Sequence, residues 1–504
     1  MRKLHRQLLE EGFEFPQDIK IGSVEDMPER IIQFGEGNFL RAFVDWMVDE
    51  MNRQGLFMGK VVVVQPIPQG LWQELNQQDG LYTLLLRGIN KGQVVEQRQI
   101  ITSISRAINP YEEWQAFLEC AAQPDLRFMV SNTTEAGIEY LKEDKPTDKC
   151  PTSFPAKVTA FLYERFKAFD GCPQKGMIIL PCELIDRNGD TLKKIVLKLI
   201  DEWKLEDEFK HWVIDHNHFL NTLVDRIVTG YPVDEIQKIT KELGYEDRLV
   251  DTGEIFHLWA IEGDKKLEQE LPLHKAGLNV IWTDDLTPYR TRKVRILNGA
   301  HTMTALMAYL YGLDTVRQCI EDEVVLSYMK KGIYEEIIPV LELPEKEKME
   351  FAQAVLERFA NPFIEHRLLS ISLNSVSKWK VRVLPSLMEY AERKKELPPV
   401  LTFSLASLLF FYRGSQLKDG VLIGQRKEET YSIQDDEGVL EFFQKLWSNY
   451  DKKGDLDSLC TQALGQKEFW DMDLNQVPGL LQRVKEYLEE ILTKGMPAAV
   501  ERLI

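Results

Sequence analysis

RIIQFGEGNFLRAFVDWMVDEMN, residues 30–52, decides the fold of the first half of this 504-residue chain. An apolar run over 31–34 leads into Gly35 and Gly37, and beyond them Phe39, Phe43, Trp46, Met47 and Met51 recur at helical spacing. Strand, glycine turn and helix in that order suit the pyrophosphate of a dinucleotide. Glycine lets the backbone approach the phosphates, and a helix N-terminus offers amide donors at the positive end of a dipole. Phe34, Gly35, Glu36, Gly37, Asn38 and Phe39 are therefore the candidate cradle. Leu40 stands where the third glycine of G-x-G-x-x-G belongs, and an ordinary tight turn is the competing reading.

Downstream, apolar strands alternate with helical stretches, the pattern of a mostly parallel sheet. The run over 61–64 ends at Gln65, near where a second strand usually presents an acid to the adenosine ribose. Gln65 can bond ribose hydroxyls without repelling a 2'-phosphate, yet no arginine follows in Pro66, Ile67, Pro68 and Gln69 to welcome one, which favours NAD. A strand over 128–131 opens at Asn132, Thr133 and Thr134, polar groups able to line a cofactor cleft or to cap the next helix. MIILP, from Met177, supplies a further strand.

HNHFLNTLVDRIVTGYP, 216–232, reads as a helix. Asp215, His216 and His218 then cannot share one face, so no metal site is expected. Arg226, beside Asp225, is a candidate substrate contact or a structural ion-pair member.

After Asp284 the strands cease and long helical patterns follow, so the expected organisation is a Rossmann-type α/β domain over 1–284 and an all-helical domain over 285–504. The second opens with RKVRILNGAHT, 292–302. On an α-helix Lys293, Asn298 and His301 would fall within a sector of roughly 140°, a face able to close over a substrate. Lysine is a general base when burial or a neighbouring cation lowers its pKa, asparagine can bond a carbinol oxygen, and histidine can do either. A solvated face with a structural histidine is the alternative. NSVSKWKVRVLP, from Asn374, gathers Lys378, Lys380 and Arg382, either an anion pocket or a solvated basic face.

Charge narrows the partners. With 62 basic against 80 acidic residues the net charge is −18, which disfavours nucleic acid and anionic membranes and leaves a small anion needing a local basic pocket. Six scattered cysteines without CxxC pairs fit reduced thiols. The N-terminus lacks the apolar core of a signal peptide and no run is long enough to span a membrane, so a cytoplasmic location is expected.

Taken together, GxGxFxRA (Gly35, Gly37, Phe39, Arg41, Ala42), VDRI (224–227) and Lys-x4-Asn-x2-His (Lys293, Asn298, His301) resemble the mannitol dehydrogenase family of polyol-specific long-chain dehydrogenases. Order and spacing match over most of the chain. The longer phrases SNTTEAGI, NTLVDRIVTGYP, KVRILNGAHT and YEEIIPVLELP resemble the members that act on sugar acids more than those that act on polyols. The resemblance implies NAD as cofactor, no catalytic zinc, Lys293 as general base, Asn298 polarising the reacting oxygen, and His301 and Lys378 contacting substrate. Arg382 and Arg226 are added as candidates for the substrate carboxylate. One departure stands out: where mannitol dehydrogenases carry Cys-Asp-Asn, with the Asn donating to the oxyanion, this chain has Cys182, Glu183 and Leu184.

Overall fold

The computed structural model describes residues 2–133, 136–146 and 149–504, so Thr134 lies outside the described residues. The chain divides into two compact units, Met1–Leu286 and Thr287–Ile504.

The first unit is organised by a six-stranded parallel sheet: β1 (Glu29–Phe34), β2 (Lys60–Val64), β3 (Ile104–Ile108), β4 (Phe128–Ser131), β5 (Ile178–Pro181) and β6 (His218–Phe219). Their spatial order is β6-β5-β4-β1-β2-β3, the doubly wound order in which the chain reverses direction across the sheet between β1 and β4. These strands are near-continuous apolar runs because both faces are covered: Val61 and Val63 pack into one buried cluster, Val62 and Val64 into another. From β1 the chain enters helix α1, built of Asn38–Leu40, a π-helical turn Arg41–Asp45, and Trp46–Arg53.

Residues 216–232 are not the helix expected. Helix α2 (Asp207–His216) stops at His216; β6 follows, and then Asn221–Asp225 pairs antiparallel with Leu258–Glu262. All five residues of that strand are buried, and tertiary burial outweighs the local helical pattern.

The second unit is mainly helical. Its entry, helix α3, runs over 287–311 as Thr287–Arg292, a π-helical turn Lys293–Asn298, and Gly299–Tyr311. Helix α4 (Glu345–Phe359), helix α5 (Ser375–Arg382) and helix α6 (Pro399–Phe411) follow. The expectation of an all-helical domain is corrected in one place. Gly414–Lys418, Val421–Arg426 and Glu429–Ile433 form an antiparallel sheet. Its first turn is Asp419-Gly420, both at positive φ, the pairing that a two-residue hairpin requires. The apolar α6 is buried along nearly its whole length, and no helix among the described residues is long and apolar enough to cross a membrane.

Candidate active site

At the carboxyl end of β1 the chain turns at Gly35, whose φ is +123°, a backbone conformation that L side chains rarely adopt. A Cβ there would lie 2.9 Å from the Asn132 carbonyl oxygen and 3.2 Å from Leu40 Cδ1. The close approach therefore falls at the first glycine, with Leu40 packed over it. Gly37 differs: it is exposed, it caps the first turn of α1, and nothing lies within 4 Å of where its Cβ would be. Arg41 braces this turn from beneath. Its Nε donates to the Glu36 carbonyl (3.2 Å), its Nη2 to Asn38 Oδ1 (2.6 Å) and its Nη1 to the Leu249 carbonyl (2.5 Å). Phe39 stacks on Phe43 with ring centroids 5.0 Å apart. The Glu36 side chain lies under the loop after β2, where burial pushes its carboxyl pKa up.

Two further groups sit beneath the turn. Gln33 Nε2 donates to Asp45 Oδ2 (3.0 Å) and to the Gly35 carbonyl (3.1 Å). Asp45 Oδ1 and Asp251 Oδ2 are buried without a hydrogen-bond partner, and burial pushes both carboxyls up to about 7.

Gln65 does not line an open ribose site as expected. Only 1% exposed, it donates Nε2 to the Ile67 (2.9 Å) and Pro68 (3.1 Å) carbonyls and accepts the Trp72 N–H, so it pins the loop that follows β2. Arg226 is likewise corrected. Its guanidinium donates to the carbonyls of Ala42, Ile255 and Phe256 and lies 4.2 Å from the Trp46 ring, which makes it an internal strut and not a substrate contact. Asn132 and Thr133 are tied to the end of β5: Asn132 Nδ2 donates to the Cys182 carbonyl (3.3 Å), while the Thr133 N–H (3.0 Å) and Oγ1 (2.9 Å) donate to Glu183 Oε1. Ser131 Oγ completes the set by donating to Glu183 Oε2 (3.0 Å). Glu183 is thus a bracket for this loop that the sequence reading missed. Its signal was topological, since residues following neighbouring parallel strands β4 and β5 emerge side by side. Leu184 is 62% exposed and apolar. Asn188 cannot stand in for the family asparagine, because its Nδ2 is held by the carbonyls of Pro181, Glu183 and Thr222.

In the second unit, Lys293 and Asn298 are the first and last residues of the π turn. A π turn closes on the fifth residue, so the two stand one above the other, a tighter pairing than an α-helix would give. His301 follows one α-turn beyond Asn298. Its ring packs on Phe359 (centroids 4.1 Å) and meets the edge of His366 (5.0 Å). Burial first, then the positive fields of His366, Arg358, Arg382 and Lys378, hold its pKa far below the usual imidazole range, so the ring is neutral. Lys378 Nζ donates to the Ile371 carbonyl (2.9 Å), and Arg382 Nη1 reaches Thr302 Oγ1 (3.4 Å). Lys380 points elsewhere, to Asp471 at 3.1 Å. Hence His301, Lys378 and Arg382 converge, and His366 and Arg358 join them without having been expected. Both lie in or beside a connection, 360–367, whose sequence has no periodicity to orient a side chain. Among the described residues no group of three or more His, Cys, Asp or Glu side chains could hold a metal ion.

The chain has clear relatives. Residues 29–275 match the mannitol dehydrogenase Rossmann domain and residues 285–492 the mannitol dehydrogenase C-terminal domain. The altronate oxidoreductase of Pectobacterium carotovorum subsp. carotovorum (strain PC1) is 49% identical over 476 residues, 94% of this chain and 96% of that protein. The altronate oxidoreductase of Escherichia coli O6:K15:H31 (strain 536 / UPEC) is 49% identical over 478 residues, 94% and 97% of the respective chains. Among solved structures, D-sorbitol dehydrogenase in substrate-free form gives a TM-score of 0.80 at 21% identity, covering 99% of this chain and 100% of that one. Pseudomonas fluorescens mannitol 2-dehydrogenase, in a ternary complex with NAD and D-mannitol, gives 0.67 at 20% identity, with 99% of each chain covered. With both domains matched in order, and relatives near half identity along almost its whole length, the chain belongs to the mannitol dehydrogenase family of oxidoreductases.

Proposed function

We propose that this oxidoreductase interconverts D-altronate and D-tagaturonate with NAD, a reversible hydride transfer at a secondary alcohol of a sugar acid. The observation that carries this reading is the 49% identity to altronate oxidoreductases across 94% of the chain.

The glycine turn suits the cofactor. Gly37 leaves open space at the start of α1, where the first amides of a helix lack intrahelical partners and favour phosphate. The backbone of Phe34, Gly35, Glu36, Gly37, Asn38 and Phe39 would hold the dinucleotide, beside Asn132 and Thr133. When bound, NAD supplies the hydride acceptor. Everything else falls to the chain. In the oxidative direction Lys293 takes the hydroxyl proton, and in the reductive direction its ammonium returns it. Asn298, stacked above Lys293, donates to the same oxygen as negative charge grows there. His301, neutral among cations, hydrogen-bonds a neighbouring hydroxyl. Leu184 offers no second donor, so Lys293 and Asn298 carry the oxygen between them.

Fructuronate with mannonate, or an uncharged polyol, would use the same lysine. The positive charge about His301 favours an acid over a polyol. All six cysteines are free thiols, which suits the reducing cytoplasm, and the acidity of the chain argues against nucleic acid or membrane as partner.

The test is Lys293→Ala. NADH titrated by fluorescence should bind as in the unsubstituted protein, while turnover of tagaturonate falls by a factor of at least about 10² to 10⁴. Retention of full turnover ends the proposal. Fructuronate and fructose assayed alongside decide the substrate, and a preference for either over tagaturonate replaces the reading.

A further inference from the structure

Four positive or potentially positive side chains act on His301, and they come from three segments of the second unit. Arg358 belongs to the last turn of α4, and His366 lies in the connection after it. Lys378 and Arg382 stand one turn apart on α5. The backbone at His366 is fixed, since its carbonyl accepts the Val316 N–H (2.9 Å) and its neighbour Arg367 bridges to Thr315. Lys378 lowers the pKa of His366, and Arg382 lowers that of Lys378, in both cases after burial. In a chain of net charge −18, Lys378 and Arg382 one turn apart on α5 concentrate positive charge here. Among the described residues, the acid whose field reaches Lys378 is Asp435, and Asp435 is engaged by the Tyr412 hydroxyl and the Val376 N–H (3.3 Å). Half-buried cations held this close repel one another, and a planar anion seated between them relieves that repulsion.

We propose that His366 and Arg382 receive the carboxylate of the substrate, and so determine the preference for a sugar acid over an uncharged sugar. The inference rests on the proposed function. Three residues of α-helix, about 4.5 Å of rise, separate Asn298 from His301, so the acid end lies within one sugar length of the carbon that reacts. Arg382 presents a fork that matches a carboxylate, and His366 adds a donor from across the His301 ring. Lys378, tethered to the Ile371 carbonyl, contributes field and a hydroxyl contact.

Arg382→Met and, separately, His366→Gln are compared with the unsubstituted protein on altronate and on its neutral carboxamide. The unsubstituted protein should favour the carboxylate. Each substitution should raise the altronate KM about tenfold or more, leave kcat within about threefold, and shrink the preference for carboxylate over amide. Arg382→Lys should restore part of it. An unchanged preference in folded Arg382→Met and His366→Gln overturns the assignment. Absence of altronate turnover in the unsubstituted protein overturns the proposed function instead, so the two failures are distinguishable.

Discussion

Asp45 is a carboxylic acid enclosed on all sides, with Gln33 donating to one oxygen and nothing to the other. Its pKa and that of Asp251 rise from 3.8 to about 7, in each case mainly through burial, against the attraction of Arg41. The sign follows from proton linkage. Between pH 3.8 and about 7 the unfolded chain has released these protons and the folded one retains them. The pair therefore favours folding fully only below pH 3.8, and that contribution is lost as pH rises towards 7. Asp45→Asn cannot release a proton, so its melting temperature, taken relative to the unsubstituted protein, should increase between pH 5 and pH 8. A constant difference across that range refutes the argument. Such groups mark the boundary of what residue identity discloses. The sequence places Gln65, Arg226 and Thr133 near functional segments, and all three are near them. Whether an amide or guanidinium faces a ligand or a main-chain carbonyl depends on partners as much as 184 residues away, such as Ala42 for Arg226, and no local pattern encodes that.

Elements were legible where hydrophobic runs were long. The strands over 31–34, 61–64 and 128–131 fall inside β1, β2 and β4, because a strand buried on both faces needs unbroken apolar sequence. The segment 216–232 was misread, since Leu220, Leu223, Val224 and Ile227 satisfy a helical period as readily as an extended one. The Asp419-Gly420 turn is a short hairpin signal set among longer helical ones. Least legible was the π turn over Lys293–Asn298, because its sequence is helical in every respect and only the hydrogen-bond register differs. At the β1–α1 junction the prediction is sharper. Gly35→Ala forces a φ of +123° on a side chain and drives its Cβ to 2.9 Å from the Asn132 carbonyl. A cost of about 1–3 kcal/mol is expected, seen as a lower urea midpoint, together with weakened NADH binding. Unaltered cofactor affinity removes this turn from the cofactor site.

At the scale of the whole molecule, three hydrophobic clusters of described residues lie entirely within residues 1–286. The fragment 1–286 should therefore fold cooperatively and bind NADH without turning over substrate. It should also bind NADH more tightly than NADPH, since the loop after β2, Pro66-Ile67-Pro68-Gln69, carries no cation for a 2'-phosphate. Equal affinity contradicts the cofactor assignment. The global division into a parallel α/β unit and a helical unit was open to the sequence, because the switch from alternating to continuous helical patterns is a property of hundreds of residues and survives local errors. The cationic cluster was only half open to it: Lys378 and Arg382 share a helix, whereas His366 joins them through chain reversal.

The π turn in α3 has one more consequence. Relative to an uninterrupted α-helix it accommodates one extra residue, so everything beyond it is swung by about 100°. Within one continuous rod, Lys293 and Asn298 are aligned along one azimuth while the residues after Gly299 are re-aimed. Loss of a single residue between positions 293 and 298 would leave the chain helical, spectroscopically near normal and still apolar in the right places. A plain α-helix wound over the same residues, with none lost, would instead turn His301 and Thr302 by about 100° and set Lys293 and Asn298 about 140° apart. A helix of this kind behaves as an indexed shaft, in which one surplus residue sets the angle at which the next turn presents its side chains.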